Sequence, residues 1–262
     1  MNRIDETLDA RRKRGEKALG LFLTAGYPHP DSTVELVLAL EQGGADLIEI
    51  GMPFSDPLAD GPVIQQSSAI ALENGVTLET IFEDVRRIRM SSSIPIVLMG
   101  YLNPILRYGL EQFFQHASEA GVDGVILPEV PLEESAEFSA MIEGNGLAQV
   151  MLVTPASPEE RIREIDRRSS GFLYCVSSTG VTGSRSAKPA KEYLAFVRRH
   201  AVKNPLLVGF GIATPEDART FSVHSDGVII GSAFIRFVAA GARSADVAGW
   251  VRQFAHLLRP SP

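Results

Sequence analysis

Short apolar runs of strand length alternate with longer stretches of helical period from residue 18 to residue 237. The runs Ala18 to Leu23, Leu47 to Ile50, Ile94 to Met99, Gly124 to Leu127, Ala148 to Val153, Phe172 to Ser177, Leu206 to Gly209 and Gly227 to Ile230 predict eight strands. Between them the period changes to that of helices. Thr33 to Gln42 has Asp31 as a candidate cap and Gly43-Gly44 as a stop, and Pro158 to Arg168 begins with a proline suited to a first turn. Further helices are predicted at Ile4 to Arg14, at Val63 to Asn74 and Leu78 to Arg89, and at Val247 to Leu258. Strands that are apolar nearly throughout, each followed by a helix, indicate a parallel sheet covered by helices. Eight such units fit a closed (β/α)8 barrel better than an open sheet, and no linker or composition shift divides the chain. The expected fold is therefore α/β: one barrel domain over residues 1–262, with an extra N-terminal helix and additional helices elsewhere.

Composition narrows the function classes. The chain has 262 residues and a formal net charge of −7, with no dense Lys/Arg stripe interleaved with aromatics, which argues against nucleic acid as a partner. No apolar run approaches the roughly 20 residues that span a bilayer, and the charged N-terminus lacks a signal-peptide core. The lone cysteine, Cys175, fits a reducing compartment and an inert role, so a cytoplasmic location is expected. The cluster Arg11, Arg12, Lys13 and Arg14 reads as a solvated helix end favoured by the helix dipole.

In such a barrel, chemistry belongs at the C-terminal ends of the strands and in the loops that follow. Strand alternation places Glu49 on the face of Leu47, opposite Ile48 and Ile50. If that face is the barrel interior, burial should raise the carboxyl pKa, which suits a group that gives and takes a proton near neutrality; a Glu paired with an Arg is the alternative. The loop after it runs from Gly51 to Pro62 and contains Asp60-Gly61, a turn signal whose position also lets Asp60 reach over the same cavity, partly hydrated and ionised.

Glycine-rich loops follow strands six, seven and eight: Ser178 to Ser184, Gly209-Phe210-Gly211-Ile212, and Gly231-Ser232 leading into a short helix. Each glycine could serve turn geometry alone, but three consecutive loops fit a cradle of backbone amides for a phosphomonoester, with the first also a candidate lid. The five lysines lie outside the predicted strands, so a Schiff-base amine is missing. The histidines form no ligand-spaced cluster, so no catalytic metal is expected. Metal-free acid/base chemistry on a phosphorylated small molecule remains, with the Tyr101 and Tyr174 hydroxyls assisting or lining the pocket.

The segments Leu23-Thr24-Ala25-Gly26-Tyr27-Pro28, Glu49 to Pro62, Gly180-Val181-Thr182-Gly183 and Gly209-Phe210-Gly211-Ile212 together resemble the tryptophan synthase α chain family over nearly the whole chain, in the same order. The resemblance implies a TIM-barrel lyase that splits indole-3-glycerol phosphate into indole and glyceraldehyde 3-phosphate, a retro-aldol reaction. It implies that Glu49 protonates indole C3 and handles the glycerol hydroxyl proton, while Asp60 accepts a hydrogen bond from the indole N–H. It also implies an indole pocket at Phe22, Tyr101, Leu127 and Tyr174, a phosphate site at Gly183, Phe210, Gly211, Gly231 and Ser232, and Thr182 as a lid residue. The chain itself would hold no cofactor; a pyridoxal-phosphate β chain would be the partner in an αββα heterotetramer, touched by the loop at Asp56. A stand-alone lyase and a non-catalytic subunit that only binds a phosphorylated metabolite are the alternatives. Val63, Ser67, Ile70 and Glu129 depart from the family pattern where loops and the β chain communicate.

Overall fold

Strand alternation sorts the apolar side chains into two layers, one inside a ring of strands and one between that ring and the helices. A computed structural model describes residues 2–176, 187–209 and 211–259. The order is α1 (Arg3–Lys13), β1 (Ala18–Thr24), α2 (Ser32–Gly43), β2 (Leu47–Gly51), α3 (Pro62–Glu73), α4 (Leu78–Arg89) and β3 (Ile96–Met99). It continues with α5 (Leu102–Tyr108), α6 (Leu110–Ala120), β4 (Gly124–Ile126), α7 (Ser135–Gly144), β5 (Ala148–Val153), α8 (Glu159–Arg168) and β6 (Leu173–Val176). The last elements are α9 (Ala187–His200), β7 (Leu206–Gly209), α10 (Pro215–Ser222), β8 (Gly227–Ile230), α11 (Ser232–Ala239) and α12 (Ser244–Leu258). The eight strands close into a barrel in chain order, and β1 pairs in parallel with both β2 and β8.

All eight expected strands form, with shorter ends in three places. Ile94 stays outside β3 because its amide donates to the Ser92 hydroxyl at 3.0 Å, making a turn before Pro95. Leu127 lies one residue beyond β4, and Phe172 precedes β6, its amide turned to the Ser170 carbonyl at 3.0 Å. Ser177 falls outside the described residues. Two capping expectations are corrected. Asp31 occupies the position before α2 but its side chain makes no cap hydrogen bond, whereas Gly44 ends the helix in the left-handed conformation at φ 103°. Pro158 stands just outside α8 rather than in its first turn.

Leu47, Val97, Ile126, Val150, Phe172, Tyr174 and Leu207 fill the barrel, while Ile48, Ile50 and Leu98 face the helices. Burying such aliphatic side chains stabilises the fold by about 1.5–3 kcal/mol each. At the N-terminal end of the strands, α1 closes the tube with Ile4 and Leu8. There Asp123 binds Arg3 and Arg89, each at 2.8 Å, and accepts the Ile96 amide. Arg11 departs from the solvated role expected of it: it folds beneath the barrel and meets Asp46 at 2.7 Å and Glu16 at 2.5 Å. Carboxylates that accept strand amides and arginines lock this end, and the C-terminal end is left for chemistry.

Candidate active site

Glu49 is carried into the barrel by the alternation that buries Leu47 and Val97, with Phe22 on β1 and Val97 on β3 as its register neighbours. Its side chain is fully buried, and neither oxygen has a hydrogen-bond partner among the described residues. An arginine pairing, the alternative open from sequence, is therefore excluded among those residues. Burial without compensation disfavours the anion and raises the pKa from its ordinary 4.5 to about 8.

Asp60 sits at the end of the long loop after β2, half-buried. The Tyr101 hydroxyl donates to its Oδ2 at 3.1 Å and accepts from the Ala59 amide at 3.0 Å. Burial raises the Asp60 pKa and the Tyr101 hydrogen bond opposes the rise. Both acids shift upward, but they differ in depth and in partners: Glu49 is fully buried and Asp60 only half-buried. Burial raises the pKa of the Tyr174 phenol on β6, and negative charge on Glu49 and Asp60 adds to the rise.

Two glycines make room for the aromatic walls. A Cβ on Gly51 would stand 2.5 Å from the Phe22 ring, and one on Gly209 would stand 1.9 Å from the Tyr174 hydroxyl. A narrow cleft opens over the strand ends, with Phe22, Asp60 and Tyr101 in its wall. Ile64 and Ser68, one turn apart on α3, and Met99, at the end of β3, also line it. Sequence reading missed these three, although Met99 follows Val97 on the inward face and helical spacing puts Ile64 and Ser68 on one face. Leu127 is half-buried just past β4. A more open hollow between α9 and α10, walled by Lys191, Arg219 and His224, belongs to the outer helical layer.

At the other side of the barrel mouth, Gly211 adopts φ 76°, a conformation that favours glycine. Gly231 caps α11, where the first helical amide to be used is that of Phe234, donating to the Gly231 carbonyl at 2.9 Å. The amides of Ser232 and Ala233 precede it, and the positive end of the helix is presented with them. Thr182, Gly183 and Phe210 lie outside the described residues. Asp56 is exposed and accepts from the Ser55 hydroxyl at 2.5 Å. Leu58 is 92% exposed, whereas Phe54 on the same loop packs on Tyr101 with ring centroids 5.3 Å apart. Among the described residues no group of three or more His, Cys, Asp or Glu side chains is placed to hold a metal ion, and no helix is long and apolar enough to cross a membrane.

A family profile described as tryptophan synthase alpha chain matches residues 8–256. The chain belongs to that family. It is 49% identical over 246 residues to the tryptophan synthase alpha chain of Geobacter sulfurreducens, covering 92% of this chain and 93% of the relative. Its likeness to that of Caldanaerobacter subterraneus is 44% over 261 residues, 99% of each chain. Among solved structures, the tryptophan synthase subunit alpha of Legionella pneumophila superposes with a TM-score of 0.91 at 37% identity, covering 98% of both chains. Tryptophan synthase from M. tuberculosis in its aminoacrylate-bound form gives 0.89 at 30% identity, covering 99% of this chain and 100% of that one. As a member of the tryptophan synthase alpha family, the protein is a carbon–carbon lyase that cleaves indole-3-glycerol phosphate in tryptophan biosynthesis. The family needs no cofactor of its own, and pyridoxal phosphate belongs to the β chain.

Proposed function

We propose that Glu49 and Asp60 carry the acid/base chemistry of this cleavage, and that one barrel domain spanning residues 1–262 suffices for it. The observation that supports the assignment best is the complete burial of Glu49 without a polar partner among the described residues, which holds it protonated at neutral pH. Protonated Glu49 gives its proton to indole C3, and the ring nitrogen becomes cationic. The carboxylate so formed takes the proton of the adjacent glycerol hydroxyl. The bond from C3 to the glycerol carbon then breaks, its electron pair returns to the ring, and indole and glyceraldehyde 3-phosphate separate. Glu49 ends protonated, ready for another turn.

Asp60, ionised and oriented by Tyr101, accepts from the indole N–H and stabilises the cationic ring. Phe22, Tyr101, Leu127 and Tyr174 hold the indole. The phosphate is bound by Gly211, by the amides at Gly231 and Ser232, and by Gly183 and Phe210, with Thr182 as a lid. The amides of Ser232 and Ala233, which precede the first hydrogen bond within α11, support the anion end of this assignment. The exposed loop with Asp56 and Leu58 meets a β chain in an αββα heterotetramer, and the enzyme works in the cytoplasm without nucleic acid or membrane as a partner.

A Glu49→Gln variant given indole-3-glycerol phosphate, with and without a β chain, tests the proposal. Unchanged phosphate-ligand affinity by calorimetry with loss of indole release is expected in both settings. Undiminished indole release would refute the assignment of the proton donor.

A further inference from the structure

The start of α5 is held from outside the helix. The Leu102 amide is the first of the helix and has no acceptor within it, and Tyr101, the residue before, makes no side-chain cap. Glu129, from the loop after β4, supplies the acceptor: its Oε1 receives the Leu102 amide at 2.5 Å. A charged acceptor at the positive end of a helix makes one of the stronger hydrogen bonds. Tyr101 leaves this point extended, at φ −96° and ψ 151°, and its hydroxyl crosses to the loop after β2, where it meets both the Ala59 amide and Asp60.

Glu129, Leu102, Tyr101 and Asp60 therefore form one continuous run of contacts across the ends of β4, β3 and β2. We infer that Glu129 is a positioning residue: by fixing where α5 begins it sets the reach of the Tyr101 hydroxyl, and through it the orientation of Asp60. The inference rests on the proposed role of Asp60. Glu129 itself is exposed and touches neither acid in a hydrogen bond, so its removal should loosen the site without unfolding the barrel. The Gly100 amide, bound to the Ile126 carbonyl at 3.1 Å, keeps the strand end in place meanwhile.

Steady-state cleavage by full-length Glu129→Ala, Glu129→Gln, Tyr101→Phe and the Glu129→Ala/Tyr101→Phe double variant tests this, with Asp60→Asn as the reference and thermal midpoints as the folding control. Glu129→Ala is expected to lower kcat about fivefold with KM within about twofold, on the scale of one lost positioning bond. Glu129→Gln, whose amide oxygen can still accept, should stay within about twofold of wild type. Because both act through one contact, the double variant should be no slower than Tyr101→Phe alone. Multiplying losses in the double variant would overturn the inference, as would a Glu129→Gln defect equal to that of Glu129→Ala, or a Glu129→Ala enzyme as fast as wild type. An active Asp60→Asn enzyme would instead overturn the role of Asp60 itself.

Discussion

Asp46, just before β2, and Glu49, in the middle of that strand, stand three positions apart, and both are buried. Asp46 meets Arg11 at 2.7 Å, Arg259 at 2.9 Å and the Leu19 amide at 2.9 Å. Glu49 meets no hydrogen-bonding group among the described residues. A buried carboxylate with full partners ties strands and helices together, whereas one without partners costs stability when ionised and gains a proton near neutrality. Among the described residues, arginines thus pair with the first carboxylate and not with the second. The first keeps the tube closed, and the second keeps a proton in reserve.

Exchanging the side chains should separate these roles. The largest effect expected is on Glu49→Gln: a fall in kcat of up to about 10⁴-fold, the upper range for losing a positioned acid and base, measured as indole release. The same change should stabilise the fold. Below pH 4.5 Glu49 is protonated in folded and unfolded chains alike; between its ordinary 4.5 and about 8 the folded chain binds the extra proton, so wild-type stability falls as pH rises through that window. Denaturant unfolding above pH 8 should find Glu49→Gln more stable by an amount on the order of 4 kcal/mol, and equal to wild type near pH 4. Asp46→Ala should do the reverse, losing about 3 kcal/mol of stability by urea unfolding while molecules that remain folded keep their kcat.

Gly209→Ala sharpens the comparison at the functional end. Its added methyl collides with the Tyr174 hydroxyl, so a loss of about 1–3 kcal/mol in stability and a raised KM are expected, and shortening Tyr174 in the same chain should relieve both. The smallest change is expected at Leu58→Ser on the exposed loop, within about 0.5 kcal/mol in stability and without effect on cleavage by the isolated chain.

The barrel was legible because each strand is an apolar run and each helix has its own period, and because eight such units leave one closed arrangement. Glu49 was legible for the same reason: alternation from Leu47 fixes its face without knowledge of anything distant. What escaped were contacts made across strands. Arg11 looked like a surface residue because its partner Asp46 is 35 positions away, and Glu129 gave no sign of the Leu102 amide 27 positions before it. The Tyr101 partner of Asp60 escaped in the same way, since it lies 41 positions along the chain at the end of another strand. Strand ends shifted where a local hydroxyl, such as that of Ser92, competed for an amide.

The proton held on Glu49 is the centre of this account, and the carboxyl group reports it directly. Difference infrared spectroscopy of wild type against Glu49→Gln, followed from pH 5 to pH 10, should show a protonated carboxyl stretch that persists through pH 7 and is lost with a midpoint near 8. A carboxylate already ionised at pH 6 would contradict it.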